Sequence, residues 1–395
     1  MMTTLNLTLP KLHNGGQRQI RECSARFIVI DAGRRWGKTR LGVALCTEAG
    51  LEGKRAWWVG PDYPTASVGW RPLMHLAYQI PGALPIKTTR TIHYPGGGWV
   101  QVKSAEKPGG LRGEGLDLVI IDETAHTPRF NEAWQQELRP ALSDRQGNAI
   151  FISTPKGFNH FWELYKEAGL MDGWAAFQHP TRDNPFIDPE EIEAARKLLP
   201  SLIFRQEYEA EFVQLAGALF QREWFHTIEK APENIRYVRF WDLAASTKTS
   251  ADYTVGAKVG LTSKGLLVVA DVARGRWEWP DAVKVIGETA RMDGSAVQQG
   301  IEAAGVQRGM YQTLTREPKL VGIPFRQVEV TTDKLTRAMP WLARAEQNMM
   351  AFVRGAWNAA WLDEVCAFPE TLHDDQVDAV SGAVQMLGQA PAFYY

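Results

Sequence analysis

Eight residues near the start of the chain, Ala32-Gly33-Arg34-Arg35-Trp36-Gly37-Lys38-Thr39, carry a pattern suited to holding phosphate. A Gly-Lys-Thr that closes a glycine-containing loop and opens a helix aims backbone N–H groups and a positive helix end at an anion. There Lys38 reaches the β- and γ-oxygens of a nucleoside triphosphate, and the Thr39 hydroxyl holds Mg²⁺. The general pattern asks for glycine where Ala32 stands, and that glycine ordinarily serves a tight turn. Farther along, Leu116 to Glu123 reads LDLVIIDE, a buried-strand run that ends in two carboxylates. Asp122 is placed to hold Mg²⁺ and Glu123 to polarise an attacking water. Loop and strand together point to a triphosphatase that binds ATP. Ser153-Thr154, at another strand end, offers hydroxyls to sense the γ-phosphate, and Gln17, on a short helix ahead of the first strand, is a candidate reader of the adenine edge.

The second half holds another constellation. Asp242 ends one strand, Glu302 ends a later one, and His373-Asp374-Asp375-Gln376-Val377-Asp378 opens the final helix. On that helix Asp374 and Asp378 stand i, i+4 on one face, with Asp375 turned about 100° away. Acidic groups gathered without basic neighbours want divalent cations, and hard oxygen ligands suit Mg²⁺ or Mn²⁺. Two such ions about 4 Å apart would activate water and stabilise the leaving oxygen of a phosphodiester. Asp252, in the turn before Tyr253, is a further acidic candidate. The competing account makes these residues helix caps and turn formers.

The elements that must position these groups follow from pattern. Strands are expected over 27–30, 55–61, 116–123 and 148–155, with helices at 41–45, 65–80 and 131–142, a β segment over 90–103 and a glycine-rich loop over 107–115. Strands alternating with helices build a doubly wound parallel sheet with its active loops at the strands' C-terminal ends. The stretch 188–212 reads as helical, and a composition change over 213–221 marks a linker. Residues 1–215 then form an ATPase domain and 220–395 a second domain. There, strands at 237–242, 253–259 and 266–271 form an antiparallel meander. A helix near 280–292, a strand over 297–302 and helices near 333–348 and 375–388 follow. That order suits a ribonuclease H-like fold.

Composition sets limits. With 44 Lys+Arg against 45 Asp+Glu, any nucleic-acid surface must be local, and residues 1–60 do hold 10 Lys/Arg against 4 Asp/Glu. The fifteen Trp suit core positions more than base-stacking platforms. Cys23, Cys46 and Cys366 are widely spaced and odd in number, which argues against a disulfide framework or zinc site and fits a reducing cytoplasm. No signal peptide, membrane-spanning run or internal repeat is expected.

Taken together, AGRRWGKT, WWVGPDY, LRGEGLDLVIIDE, ISTPKG, FRQEYEAEF, the strand ending in Asp242, Asp333-Lys334-Leu335-Thr336-Arg337-Ala338 and HDDQVDA resemble, in order, the large terminase subunit of tailed double-stranded DNA bacteriophages. The resemblance implies an ATP-driven motor that moves duplex DNA into a procapsid, joined to a nuclease that cuts concatemers. Its implied partners are double-stranded DNA, a small terminase subunit, the procapsid portal protein and copies of itself in a ring, with a monomer in solution left open. Its implied place is the host cytoplasm and not the finished virion. The resemblance matches Lys38, Thr39 and Asp122 to phosphate and Mg²⁺ contacts, Glu123 to the catalytic glutamate, and Ser153 and Thr154 to a coupling motif. Arg112 matches an arginine finger acting on a neighbouring subunit, with Arg34 or Arg35 as same-subunit competitors. Asp242, Glu302 and one or two of Asp374, Asp375 and Asp378 match the nuclease metal set, where Glu302 replaces the more usual aspartate. The rival readings are a helicase or repair ATPase fused to a nuclease, and a DNA-binding scaffold with an inactive nuclease half. Lys334, Arg337, Arg274 and Arg276 are candidates for the DNA-tracking face, against ordinary surface charge.

Overall fold

Eight strands make the sheet of the first unit: β1 (Phe27–Ala32), β2 (Arg55–Gly60), β3 (Leu84–Ile86), β4 (Thr91–His93), β5 (Trp99–Ser104), β6 (Leu118–Asp122), β7 (Asn148–Ser153) and β8 (Trp174–His179). The structure, a computed structural model, describes residues 10–388 apart from 108, 215–216, 245–252, 304–306 and 372. The strand order is β3-β4-β5-β2-β6-β7-β1-β8. From β5 to β8 every pairing is parallel, and β4 and β3 add an antiparallel edge. Side chains alternate across the pleat into two cores. Ile28, Ile30, Trp58, Ile120 and Ile152 face one, and Phe27, Val29, Trp57, Ile121 and Phe151 face the other. Burial on both faces is why β1, β2, β6 and β7 read as continuous apolar runs. The helices α1 (Gln17–Glu22), α2 (Lys38–Leu51) and α3 (Tyr63–Ala77) follow the chain order expected of crossover units.

The chain divides into two compact units, Met1–Arg196 with Ser201–Gln214 and Lys197–Pro200 with Leu215–Tyr395. The second unit is built on β9 (Phe225–Ile228), β10 (Arg236–Asp242), β11 (Thr254–Leu261), β12 (Leu267–Gly275), β13 (Gln298–Glu302), β14 (Phe325–Val328) and β15 (Met350–Val353), in the order β14-β13-β10-β11-β12-β15-β9. β10, β11 and β12 form an antiparallel meander, while β13 and β14 on one side and β15 and β9 on the other run parallel to their neighbours. The helices Lys334–Glu346, Asn358–Val365 and Asp375–Gly388 share one core with the sheet. Trp279–Asp293 and Gln307–Arg316 contribute to a second core around Trp241 and Ile301.

Three expectations change. The stretch 188–212 is two helices, Pro189–Leu198 and Ser201–Glu207, because Pro200 has no N–H to continue the first. The helix expected over 131–142 carries a π-helical turn, Ala133–Leu138, between short α segments. Ala32 needs no glycine, because it is the last residue of β1, still paired with His179 in extended geometry. Among the described residues no helix is long and apolar enough to cross a membrane, and the three cysteines are free.

Candidate functional site

The phosphate loop leaves β1 at Gly33 and enters α2 at Lys38, held from several sides. Gly33 N donates to His179 O (2.9 Å), Thr181 Oγ1 to Arg34 O (2.7 Å) and Asn184 Nδ2 to Arg35 O (2.7 Å). A Cβ on Gly33 would stand 2.5 Å from Thr181 Oγ1, so only glycine fits. Gly37 has φ +110, and a Cβ there would meet Gln17 Nε2 at 2.4 Å. Trp36 is buried and stacks on His179 with ring centroids 4.9 Å apart.

Lys38 is buried, and its ammonium donates to Ala32 O (2.7 Å), Gly33 O (3.1 Å) and Thr154 Oγ1 (2.9 Å). Burial lowers its pKa, and Glu123, Asp122, Asp31 and Glu207 pull the other way. β6 and β7 are neighbours, so their C-terminal ends bring the carboxylates to the hydroxyls. Burial and then Glu123 push the Asp122 carboxyl up to about 7. Glu123 is held in the left-handed region at φ 49, which is strained for a residue with a Cβ. Against burial, a hydrogen bond from His126 and the charge of Lys38 hold its carboxyl below the ordinary value. His126 Nδ1 and Ser153 Oγ each stand 3.5 Å from Glu123 Oε2.

These groups surround a cavity of about 830 Å³. Arg34, Arg35, Gly37, Lys38, Thr39, Glu123 and Thr154 line it, as the sequence suggested. Pro61, Asp62, Thr65, His126, Ile187 and Glu207 line it too, and the pattern of residues had not singled them out. Asp31 was also missed. It is fully buried beside the loop, accepts from Gln178 Nε2 (3.1 Å), and burial raises its carboxyl well above the usual range. A buried acidic end to β1 was the available signal. Arg34 pairs with Glu207 at 2.5 Å. Arg112 does not line this cavity: its side chain is 64% exposed and its Nε stands 3.4 Å from Glu137 Oε1.

Gln17 requires correction as the adenine reader. It is fully buried, its Oε1 accepts from His13 N (3.0 Å), and its Nε2 donates to Gly37 O (2.9 Å). Both ends of the amide brace the loop, and the side chain does not face the cavity.

In the second unit, β10 and β13 are parallel neighbours with Trp241 opposite Ile301, so Asp242 and Glu302 finish adjacent strands together. The helix Asp375–Gly388 packs on β10 and β11 and brings the remaining carboxylates to that end. Burial and then Asp378, Asp375 and Glu302 push Asp242 well above the carboxylate range. Asp375 Oδ2 accepts from Tyr253 N (2.9 Å). Asp374 immediately precedes the helix, and its carbonyl accepts from Asp378 N (2.9 Å).

The expectation of an acidic set without basic neighbours is corrected here. Lys334 Nζ lies 2.5 Å from Asp374 Oδ1 and 3.1 Å from Asp378 Oδ2, and Arg337 Nη2 lies 2.7 Å from Asp378 Oδ1. Lys334 and Arg337 are thus bound to the acids and not displayed as free surface charge. Arg274 pairs with Glu364 (3.1 Å), and both Arg274 and Arg276 lie over the Tyr253 ring. Among the described residues no three His, Cys, Asp or Glu side chains are arranged to hold one metal ion. The donors are of the type a hard ion takes, and the crowding that raises Asp242 is a charge a cation would relieve. Asp252 lies outside the described residues.

The comparisons with known proteins agree with this architecture. The family model described as terminase large subunit, T4likevirus-type, N-terminal, matches residues 29–227, half of the chain. The large terminase subunit of Escherichia phage T5 is 32% identical over 200 residues, covering 49% of this chain and 46% of that protein. That of Thermus phage G20c is 30% identical over 247 residues, covering 52% and 49%. The chain thus spans about half the length of the curated relatives it matches. A large terminase from a thermophilic bacteriophage, solved in complex with ADP, shares the fold with a TM-score of 0.61 at 13% identity, over 92% of this chain and 95% of that one. With the phosphate loop, the carboxylate strand and the hydroxyls of β7 gathered in the matched region, the chain belongs to the terminase large subunit family.

Proposed function

We propose that the first unit hydrolyses ATP to drive double-stranded DNA into a procapsid, and that the second cuts concatemeric DNA. The observation that carries the ATPase reading is the buried Lys38 ammonium, fixed between the loop carbonyls and Thr154 and facing the cavity that Glu123 also lines. Loop N–H groups and the start of α2 receive the triphosphate, and Lys38 turns from its internal acceptors to the phosphate oxygens. Glu123, kept ionised by His126 and Lys38, orients the attacking water and accepts its hydrogen bond. Thr154 touches the ammonium that touches the phosphate, so loss of the γ-phosphate is felt at the end of β7. Thr39 and Asp122 are the residues that would hold Mg²⁺, which when bound offsets phosphate charge, and the raised carboxyl of Asp122 suits a cation partner.

For the second unit the reading is a ribonuclease H-like nuclease. The meander flanked by parallel strands supports it, as do the shared ends of β10 and β13. Asp242, Glu302 and Asp375 would hold Mg²⁺ or Mn²⁺, which when bound would supply activated water for phosphodiester cleavage. Asp374 and Asp378 join only if Lys334 and Arg337 release them. Duplex DNA, a small terminase subunit, the portal protein and a ring of like subunits are the proposed partners, in the host cytoplasm. The test compares ATP turnover and plasmid cleavage, with Mg²⁺ or Mn²⁺, for the wild type, Glu123→Gln and Asp242→Asn. Separate sites predict that Glu123→Gln stops turnover and Asp242→Asn stops cutting. Absence of metal-dependent cutting by the wild type, with turnover intact, overturns the nuclease half.

A further inference from the structure

Glu137 is a carboxylate buried without an evident reason of stability. Its side chain is 0% exposed, on the π-helical turn Ala133–Leu138. Oε1 accepts from Gly109 N and faces Arg112 Nε at 3.4 Å, whereas Oε2 is buried with no hydrogen-bond partner among the described residues. A buried acid served by one exposed guanidinium and one amide, with an oxygen unserved, stabilises a fold less than an apolar or amide side chain would. What this acid does accomplish is to fix a loop. Gly109 and Arg112 are both held by its Oε1, and Leu111 between them is buried against the core that includes Trp134 and Leu138. Past Arg112 the chain turns away at Gly113, φ +97. The guanidinium is left projecting from an anchored base, and it does not line its own subunit's cavity.

We infer that Glu137 is a positioning residue that sets the direction of Arg112 for the triphosphate of a neighbouring subunit. This role rests on the reading, implied by the family resemblance, of Arg112 as a finger acting between subunits. The carboxylate supplies a fixed acceptor for the loop backbone and a counter-charge for the guanidinium stem. The unserved Oε2 can take a second hydrogen bond as Arg112 shifts toward a phosphate, without loss of the first. Glu137 lies on the π-helical turn Ala133–Leu138, and such turns recur at functional positions.

The test uses the full chain. Glu137→Gln keeps an oxygen for Gly109 N and removes the charge that holds Arg112. ATP turnover per subunit is measured over a protein-concentration series for the wild type, Arg112→Ala, Glu137→Gln and Glu137→Asp, with ATP affinity and melting temperature alongside. The expected result is a loss of about tenfold or more in concentrated Glu137→Gln, in the direction of Arg112→Ala, with ATP affinity unchanged and melting temperature not lowered. Glu137→Asp, which keeps the charge but shortens its reach, should fall between and serves if the glutamine variant folds poorly. Mixing Glu137→Gln with Glu123→Gln subunits should restore turnover. The second partner lends a well-placed Arg112 to a cavity that is itself intact, and a merely structural defect would not be rescued. A normal rate for Glu137→Gln where Arg112→Ala is impaired, or absence of rescue in the mixture, overturns the role of Glu137 alone. A normal rate for Arg112→Ala, or wild-type turnover independent of concentration, overturns the finger reading and this role with it.

Discussion

Asp122→Asn should stabilise the first unit at alkaline pH while stopping its chemistry. Burial and the neighbouring Glu123 raise the Asp122 carboxyl from 3.8 to about 7. The folded value is the higher one, so between these pH values the native state keeps a proton that the unfolded chain has released. Stability therefore falls as pH rises through that window, and the loss is complete above it. A gap of about three pH units, at about 1.4 kcal/mol for each, amounts to roughly 4 kcal/mol of strain in the ionised form. Asparagine, neutral and nearly the same shape, escapes this. The gain at pH 8 is then about 4 kcal/mol, the attraction of Lys38 being already contained in the raised value, or roughly 8–16 °C in melting temperature for a unit of this size. Near pH 4 the two chains should be equally stable. Denaturant melts of the full chain from pH 4 to pH 8, with ATP turnover alongside, decide the matter. An asparagine variant that is less stable at pH 8, or that has the same pH dependence as the wild type, refutes the reasoning.

Other outcomes follow from single contacts. Gln17→Ala strands His13 N and Gly37 O, and should lower first-unit stability by about 1–3 kcal/mol and weaken ATP binding, read by denaturant melt and calorimetry. Arg239→Met removes a guanidinium that binds Asp293, Asp271 and Gly256 O, leaving the buried Asp293 only Lys258 and the neutral Gln299 amide as partners among the described residues. The second unit should lose about 3–5 kcal/mol, seen as a lower denaturation midpoint. Lys334→Ala frees Asp374, leaves Arg337 on Asp378, and should tighten Mn²⁺ binding to the full chain several-fold by titration calorimetry. Unchanged affinity would mean that the lysine does not compete with a cation.

The first sheet was legible where burial on both faces writes long apolar runs, as in β1, β2, β6 and β7. β8 went unread because its side chains are only half-buried, and β9, β14 and β15 because four residues carry too little pattern. Phosphate-loop and carboxylate residues announce themselves by spacing, so Lys38, Thr39 and Glu123 were found at the cavity. Contacts remote in sequence leave no such trace. Nothing in the spacing tells that Lys334 meets Asp374 and Asp378, or that residues 179–184 and Glu207 brace the loop. Gln17 misled because a glutamine suited to an adenine edge is equally suited to pairing with backbone.

Lys38 has three ammonium hydrogens, and Ala32, Gly33 and Thr154 already take all of them. Each bond it makes to a phosphate oxygen must therefore replace one it holds, so binding is an exchange and not a capture. The driving force is only the difference between a charged oxygen and a neutral one. When phosphate departs, the ammonium returns to acceptors that have not moved, and no desolvated charge is left waiting for water. Exchange of this kind makes the net gain on binding small, and the cost of letting the phosphate go is small by the same amount.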